Sequence, residues 1–183
     1  DLLITTHQET FLENKAAFLR DKVAWGAEAQ GTAGSGKTTI AENIIRYAHH
    51  LEYLPVVLAP TNRAANVLHQ KFSSTGLNKI VERPSTIHKW LYTLDQDTGV
   101  WERNSIPEKT FILLDESSML ALEQYTHLSD AVKESKGSKI LFVGDNFQLP
   151  PVEKPSFILD PEQSPLAGGN FNAKLTAVMR QAE

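Results

Sequence analysis

The chain of 183 residues contains no cysteine, which excludes disulfides and thiolate metal sites and fits a reducing, cytoplasmic location. It contains no run of about 18 apolar residues, so we expect no membrane-spanning helix and no membrane partner. It also lacks an excess of positive charge, because the formal net charge is −4. This charge argues against a protein that coats nucleic acid through a bulk positive field, and leaves open only a narrow groove with local lysines and arginines.

The six histidines show no metal-binding pattern, because His49 and His50 are adjacent and no H-E-x-x-H motif occurs. What the chain does contain is typical of a globular protein, with 41% hydrophobic and 22% charged residues. Its length suits one buried core, so we predict a single domain over residues 1–183. Since it starts at Asp1 without a methionine and stops directly behind a motif, we expect a truncated piece of a longer protein.

Helical periodicity alternates along the chain with short apolar runs, which predicts an α/β fold with a mostly parallel sheet and helices on both faces. The predicted helices cover 8–20, 37–50, 61–72, 86–91 and 122–133, and the predicted strands cover 55–59, 111–114, 139–143 and 174–178. Turn-forming residues around 97–99 predict a small inserted hairpin or loop within residues 92–109. Residues 27–30 are poorly apolar for a central strand, and the sequence gives no reason for Glu28 there.

Residues 31–38 read G-T-A-G-S-G-K-T, a complete Walker A pattern (G-x-x-x-x-G-K-[ST]) in front of a helix. Glycines let backbone N–H groups converge on phosphates, and the helix N-terminus adds its positive dipole end. Lys37 can reach the β- and γ-phosphates, and the Thr38 hydroxyl can ligate Mg²⁺. The alternative is a glycine-rich turn before a helix, but the strand, loop and helix context favours a nucleotide site that takes ATP with Mg²⁺.

The apolar run 111–114 ends in Asp115 and Glu116, a Walker B pattern at the carboxyl end of a predicted core strand. Open α/β sheets bind ligands at this edge. We expect Asp115 to hold Mg²⁺ through its water shell and Glu116 to orient or deprotonate the attacking water. A solvated turn would show the same pair of acids, but the Walker A pattern upstream favours the catalytic interpretation.

The next predicted strand ends in residues 144–152, G-D-N-F-Q-L-P-P-V. This order places Asp145 and Gln148 near the same sheet edge as Glu116. A Gln148 amide there can bond a γ-phosphate or the attacking water and lose that bond after hydrolysis, so it would act as a sensor. Without the other motifs, the segment would be interpreted as a proline-stabilised turn.

Six segments, at 31–38, 59–65, 85–88, 114–119, 144–152 and 175–181, occur in the order found in superfamily I helicases and resemble that family. The D-E-S-S-M and G-D-x-x-Q-L-P-P-V forms resemble its RecD-like branch in particular. The resemblance implies a P-loop NTPase, namely the first RecA-like motor domain of an ATP-driven helicase that tracks along single-stranded DNA, usually 5′ to 3′. Such motors serve repair, recombination or replication.

The resemblance also implies roles for single residues. Gln8 matches the glutamine that reads adenine, although it would otherwise be a solvated position on a helix. Arg180 matches the arginine that reaches the γ-phosphate, with a surface arginine as the alternative. The implied nucleotide-binding set is Gln8, Gly31, Ala33, Gly34, Ser35, Gly36, Lys37, Thr38 and Thr39. The implied catalytic set is Lys37, Asp115, Glu116, Gln148 and Arg180, with Thr38 and Asp115 at the metal.

The implied nucleic-acid contacts lie in three segments: Pro60, Thr61, Asn62 and Arg63; Thr86 and His88; and Trp101. A helix N-terminus and threonine hydroxyls suit phosphates, in agreement with the first segment. His88 could instead be a packed or surface histidine. The insert corresponds to the pin that splits duplexes in the family, on which Trp101 would stack or wedge, although a hairpin tryptophan can also be a local packing anchor.

A second RecA-like domain supplies further motifs in the family, including its own arginine finger, and none follows Glu183. We therefore expect that domain as a partner within the full-length chain, and we expect residues 1–183 alone to hydrolyse ATP poorly. Three other functions stay open: an RNA-directed superfamily I helicase, a nucleotide-gated binding module without translocation, and a small-molecule kinase. Glu116 and Gln148 argue against the binding module, since a pure switch needs no water-orienting acid. A kinase would share the Walker A loop but would give no reason for segments 60–63 and 144–152, so it ranks last.

Overall fold

The computed structural model describes residues 6–31, 37–144 and 173–175. Within them, no helix is both long and apolar enough to span a bilayer. Eight strands are described: β1 (Gly26–Gly31), β2 (Leu54–Ala59), β3 (Ser85–Thr86), β4 (Tyr92–Leu94), β5 (Trp101–Arg103), β6 (Thr110–Leu114), β7 (Lys139–Gly144) and β8 (Ala173–Leu175). The helices are α1 (Thr6–Arg20), α2 (Lys37–His50), α3 (Asn62–Thr75), α4 (Ile87–Leu91) and α5 (Leu122–Glu134), with 3₁₀ turns at Leu77–Lys79 and Ser117–Met119.

Six strands form one parallel sheet in the order β3-β2-β6-β7-β1-β8. The central strands β6 and β7 are buried along their whole length, as expected for strands covered on both faces. The predicted α/β architecture with a parallel sheet is therefore confirmed. The sheet places the carboxyl ends of all six strands at one edge, which is where the sequence motifs follow.

Two hydrophobic clusters cover the two faces of this sheet, because alternate residues of each strand point to opposite sides. Cluster 1 joins Phe111 and Leu113 of β6 to residues of α1, α2 and α3, including Phe18, Ile45 and Phe72. Cluster 2 joins Ile112 and Leu114 of the same strand to α4 and α5, including Leu91, Leu128 and Val132. Helices thus lie on both faces, and the rigid core sits directly beneath the motif-bearing edge.

Helix α3 runs further than the sequence predicted, to Thr75 instead of about Phe72. The last three residues of the helix are serines and a threonine, which the helix accommodates because their exposed hydroxyls donate to helix carbonyls. The Ser73 hydroxyl, for example, donates to His69 O at 2.9 Å. The helix ends at Gly76, whose left-handed conformation (φ 81°) suits a C-terminal cap. The other predicted elements are found with ends shifted by up to two residues, and residues 176–178 of the last predicted strand lie outside the described residues.

The insert between α4 and β6 is an antiparallel hairpin of β4 and β5, in which Leu94 pairs with Trp101. Its turn is stabilised by Asp95, whose carboxylate accepts bonds from Asp97 N at 2.8 Å and Thr98 N at 3.1 Å. These bonds lower the pKa of the Asp95 carboxyl. The hairpin therefore has a preorganised tip that carries the predicted Trp101.

Glu28, which the sequence left unexplained, lies in β1 in register with Phe142 of β7 and is 3% exposed. The Lys15 ammonium from α1 donates a buried bond of 2.8 Å to the Glu28 carbonyl oxygen. Burial lowers the pKa of Lys15 to about 7, and the Glu28 carboxylate partly opposes that shift. Lys15 and Glu28 thus place opposite charges near each other in the interior, and the Lys15 bond joins α1 to the strand that leads into the Walker A loop.

Candidate nucleotide and nucleic-acid site

The two ends of the Walker A pattern that the structure describes lie at the motif-bearing edge of the sheet. Gly31 ends β1, and Lys37 begins α2. Lys37, Thr38 and Thr39 form the first turn of α2, although their side chains, like that of Gln8 in α1, lie outside the described part of the structure. Ala33, Gly34, Ser35 and Gly36 lie outside the described residues altogether. The strand-to-helix context predicted for a phosphate loop is therefore present.

Only β7 separates the Walker A strand from the Walker B strand. Gln30 of β1 is in register with Gly144 of β7, and Leu114 of β6 is in register with Phe142 of the same strand. Two steps across a sheet correspond to about 10 Å. The two motifs consequently emerge close together, as a shared magnesium and phosphate site requires.

Asp115 extends the order of β6 by one residue, since its backbone N donates to Leu58 O of β2 at 2.9 Å. The next residue, Glu116, adopts a left-handed conformation with φ 52° and ψ 46°. A residue with a side chain rarely adopts this conformation, and it turns the chain sharply. Asp115 is half-buried and Glu116 is exposed, so the two acids of the pair stand in different surroundings.

Two cavities open beside these acids. The larger, of about 530 Å³, is lined by Asp115 and Glu116 together with Thr61 and Arg63 of the first predicted nucleic-acid segment. The smaller, of about 140 Å³, is lined by the same two acids together with Pro60, Thr86 and His88. The structure therefore brings the Walker B acids and two of the three predicted nucleic-acid segments together at one edge.

Thr61 and Thr86, the first residues of the predicted helices 61–72 and 86–91, are helix N-caps in the structure. The Thr61 hydroxyl accepts a bond from Ala64 N at 3.1 Å, and the Thr86 hydroxyl accepts one from Lys89 N at 3.2 Å. A hydroxyl that accepts in this way keeps its own proton for another acceptor. Both threonines can therefore cap a helix and still donate to a phosphate, while Arg63 and Asn62 are exposed beside them.

Trp101 packs against His88, with ring centroids 4.5 Å apart, and remains 52% exposed. The third predicted nucleic-acid segment thus contacts the second directly. The ring therefore packs on a neighbour and still offers a free face on which a base can stack.

The hairpin is fixed to α5 by two side-chain contacts that the sequence did not reveal. Arg103 pairs with Glu134 at 2.6 Å, and the Tyr92 hydroxyl bonds His127 Nδ1 at 2.7 Å. Both pairs join residues more than 30 positions apart, so no local pattern could have identified them. They hold Trp101 at a fixed place relative to the Walker B edge.

Ser117 directly follows the two acids in the D-E-S-S-M segment. Its hydroxyl is buried and lies 3.0 Å from the carbonyl oxygens of both Leu114 and Val143. Asp145, Gln148 and Arg180, the remaining predicted site residues, lie outside the described residues.

A family model described as "AAA domain" matches residues 15–183. The chain is 30% identical over 133 residues to an uncharacterized protein of Methanocaldococcus jannaschii, covering 67% of this chain and 11% of that protein. It is 28% identical over 142 residues to the RecBCD enzyme subunit RecD of Buchnera aphidicola subsp. Schizaphis graminum, covering 70% of this chain and 23% of that subunit. The chain therefore spans a quarter or less of the length of these relatives.

Two solved structures share the fold. The Hef helicase domain of Pyrococcus furiosus superposes with a TM-score of 0.58 at 17% identity, over 92% of this chain and 37% of that one. The large terminase ATPase domain of Thermus phage P74-26 superposes with a TM-score of 0.51 at 13% identity, over 96% of this chain and 86% of that one. At these identities the likeness concerns the fold alone.

Proposed function

This chain belongs to the AAA domain family, and from that premise we propose that it is a RecD-like superfamily I motor domain that hydrolyses ATP to move along single-stranded DNA, 5′ to 3′. The family and the RecD relative support the coarser part, a nucleotide-binding, helicase-type RecA-like domain. Direction, DNA substrate and membership of the RecD-like branch belong to the proposal. So does the second RecA-like domain that we expect elsewhere in the full-length chain.

One observation carries the proposal: Asp115 and Glu116 line cavities together with Thr61 and Arg63 on one side and Thr86 and His88 on the other. A nucleotide switch that bound only a protein partner would give no reason for threonine and arginine donors to share the cavities of the catalytic acids. In a motor, this sharing lets a change at the phosphates alter the grip on a strand.

The residues present fit magnesium chemistry. Asp115 offers the hard carboxylate oxygens that Mg²⁺ prefers, and it stands at the sheet edge where Lys37 and Thr38 begin α2. When bound, the ion would neutralise phosphate charge. Glu116, exposed at the cavity mouth, would orient the attacking water and accept its proton, while Lys37 would hold the phosphates. Thr61, Arg63 and Thr86 would hold the strand backbone.

ATP turnover by the full-length protein tests the proposal, measured with and without single-stranded DNA. We expect DNA to stimulate turnover and Glu116→Gln to lower kcat by about 10²- to 10⁴-fold, since it removes the base but keeps the shape. Glu82→Gln, which neutralises an exposed acid away from the cavities, is the matched control and should leave kcat unchanged. Turnover that no strand stimulates would favour the nucleotide-gated binding module instead.

Competition between DNA and RNA oligonucleotides of the same sequence tests the substrate. We expect DNA to be preferred in both binding and stimulation, whereas a preference for RNA would support the RNA-directed alternative. Displacement of a block placed at the 5′ or the 3′ end of a strand tests the direction, and faster displacement at the 5′ end would contradict 5′-to-3′ movement.

A further inference from the structure

Glu116 adopts an unusual backbone conformation, which neighbouring contacts must stabilise. Its left-handed φ of 52° costs a residue with a Cβ about 1–2 kcal/mol, so the surrounding contacts have to stabilise the turn. The residue before Glu116 is Asp115, whose backbone N–H bonds Leu58 O of β2. The residue after it is Ser117, which begins the Ser117–Met119 3₁₀ turn.

The Ser117 side chain folds back beneath Glu116. Its hydroxyl lies 3.0 Å from Leu114 O, the last carbonyl of β6, and 3.0 Å from Val143 O in β7. The side chain is only 7% exposed, so water does not compete for the single hydroxyl proton, which either carbonyl can accept. This one group therefore links the ends of two adjacent core strands and the turn that carries Glu116.

An alanine at this position would remove that link while keeping the local chain. It would leave two buried carbonyl oxygens with one fewer donor and would free the Glu116 turn to relax towards ordinary conformations. Catalysis is sensitive to such changes, because a misplacement of 1 Å can cost about 100-fold in rate.

We propose that Ser117 is a positioning residue, which aims the Glu116 carboxylate at the attacking water by tying its turn to β6 and β7. The proposal rests on the proposed function, since it assigns Ser117 a part in the same hydrolysis. The bond from Ser117 to Val143 O also connects β7 to the turn that carries Glu116. In the sequence, β7 leads into the segment with the predicted sensor Gln148.

Steady-state ATP hydrolysis by the full-length protein, stimulated by single-stranded DNA, tests this role. We expect Ser117→Ala to lower kcat by about 10-fold and to change the KM for ATP by less than about twofold, because orientation is lost and binding is not. Ser117→Cys keeps a weak donor on a slightly larger side chain, and should give a kcat between those of Ser117→Ala and the unmodified protein. It also serves as the test if the alanine variant does not fold.

Ser138 provides the matched control, because it is a buried serine that joins the other ends of the same strands. Its hydroxyl accepts a bond from Thr110 N at 3.0 Å at the start of β6, directly before β7 begins at Lys139. Ser138→Ala should lower the melting temperature at least as much as Ser117→Ala but leave kcat unchanged. Equal losses of kcat in both variants would show that Ser117 acts only through stability and would overturn the proposal.

A double-mutant cycle separates positioning from a general effect. If Ser117 acts through Glu116, then Ser117→Ala in the Glu116→Gln background should lower the remaining rate by less than about twofold, whereas a further 10-fold loss would refute the proposal. The failure of the proposed function is distinguishable, because the unmodified protein would then show no strand-stimulated turnover at all. Strand-stimulated turnover that Ser117→Ala leaves at full kcat would refute only the role of Ser117.

Discussion

At the scale of single residues, the buried Lys15 is the largest departure from what a sequence pattern leads one to expect. A lysine in an amphipathic helix normally points to water, yet this one is fully buried and donates to the Glu28 carbonyl oxygen. Its ammonium anchors α1 to β1, the strand that leads into the Walker A loop. Burial also lowers its pKa to about 7, which makes the anchor sensitive to pH.

The stability of the protein should therefore rise with pH above about 7. Lys15 has a folded-state pKa near 7 and an unfolded value near 10.5, so the unfolded chain binds more protons between those values. We expect a gain of roughly 2 kcal/mol in the free energy of unfolding between pH 7 and pH 9 from this group.

Urea denaturation of Lys15→Met at both pH values measures this contribution. The variant has no amine at this position and should lose roughly 2 kcal/mol of the rise, while Lys139, whose pKa burial lowers to about 8, still contributes the rest. Lys22→Met, at an exposed lysine, should keep the whole rise. An undiminished rise in Lys15→Met would show that another group is responsible.

At the scale of elements, the hairpin is attached to α5 rather than standing apart from it. The Arg103–Glu134 pair and the Tyr92–His127 bond fix it to α5, and the Asp95 turn orders its tip. Trp101 is thereby presented next to His88 with half of its surface exposed. A preorganised aromatic surface can stack on a base with little loss of conformational entropy.

Replacing Trp101 with alanine should weaken binding of single-stranded DNA by about 1–3 kcal/mol, the usual contribution of a stacked base. Fluorescence anisotropy with a labelled oligonucleotide measures the change. The neighbouring Val100→Ala is a matched control, because Val100 is equally exposed but has no ring, and it should bind as the unmodified protein does. Unchanged affinity in Trp101→Ala would leave Trp101 as a packing anchor for His88.

The end of α3 offers a second prediction at this scale. Gly76 caps the helix at φ 81°, and no atom lies within 4 Å of where a Cβ would stand, so only backbone conformation opposes a substitution. Gly76→Ala should therefore lower the free energy of unfolding by about 1–2 kcal/mol, and Gly76→Asn by less, since asparagine tolerates the left-handed region. Thermal denaturation compares them, and equal stability of both variants would contradict a conformational origin.

At the scale of the whole molecule, the six-stranded sheet contributes side chains to the hydrophobic clusters on both of its faces. Phe111 and Leu113 pack into cluster 1 while Ile112 and Leu114 pack into cluster 2, so the two clusters share the backbone of β6. A substitution that destabilises the packing on one face should therefore also destabilise the packing on the other face, because both depend on β6. The described part of the chain should therefore unfold as one cooperative unit.

Phe111→Ala tests this cooperativity. It should cost about 3–5 kcal/mol by leaving a cavity in cluster 1. Trp25 and Trp90 pack against cluster 2, so tryptophan fluorescence reports the opposite face. We expect fluorescence and far-ultraviolet circular dichroism to shift to the same lower urea midpoint, whereas Val23→Ala, at an exposed position, should shift neither. A fluorescence midpoint that stays in place would show that the two faces unfold separately.

The sequence by itself determined the α/β architecture with its parallel sheet and the edge at which the motifs emerge. Apolar runs such as 111–114, caps such as Thr61 and the Walker patterns are local signals, because periodicity, capping and phosphate binding depend on residues near each other in the chain. The same signals predicted Asp115 and Glu116 at the end of a core strand, where the structure has them.

Tertiary structure alone decided what depends on residues far apart. The burial of Lys15 beneath Glu28, the reach of Ser117 to Val143 and the attachment of the hairpin through Arg103 all join distant segments. Neither the 3.6-residue periodicity of a helix nor the two-residue periodicity of a strand encodes such contacts, because they depend on how separate elements pack together. The left-handed turn at Glu116 belongs with them, since a non-glycine residue keeps that conformation only where neighbouring elements hold it.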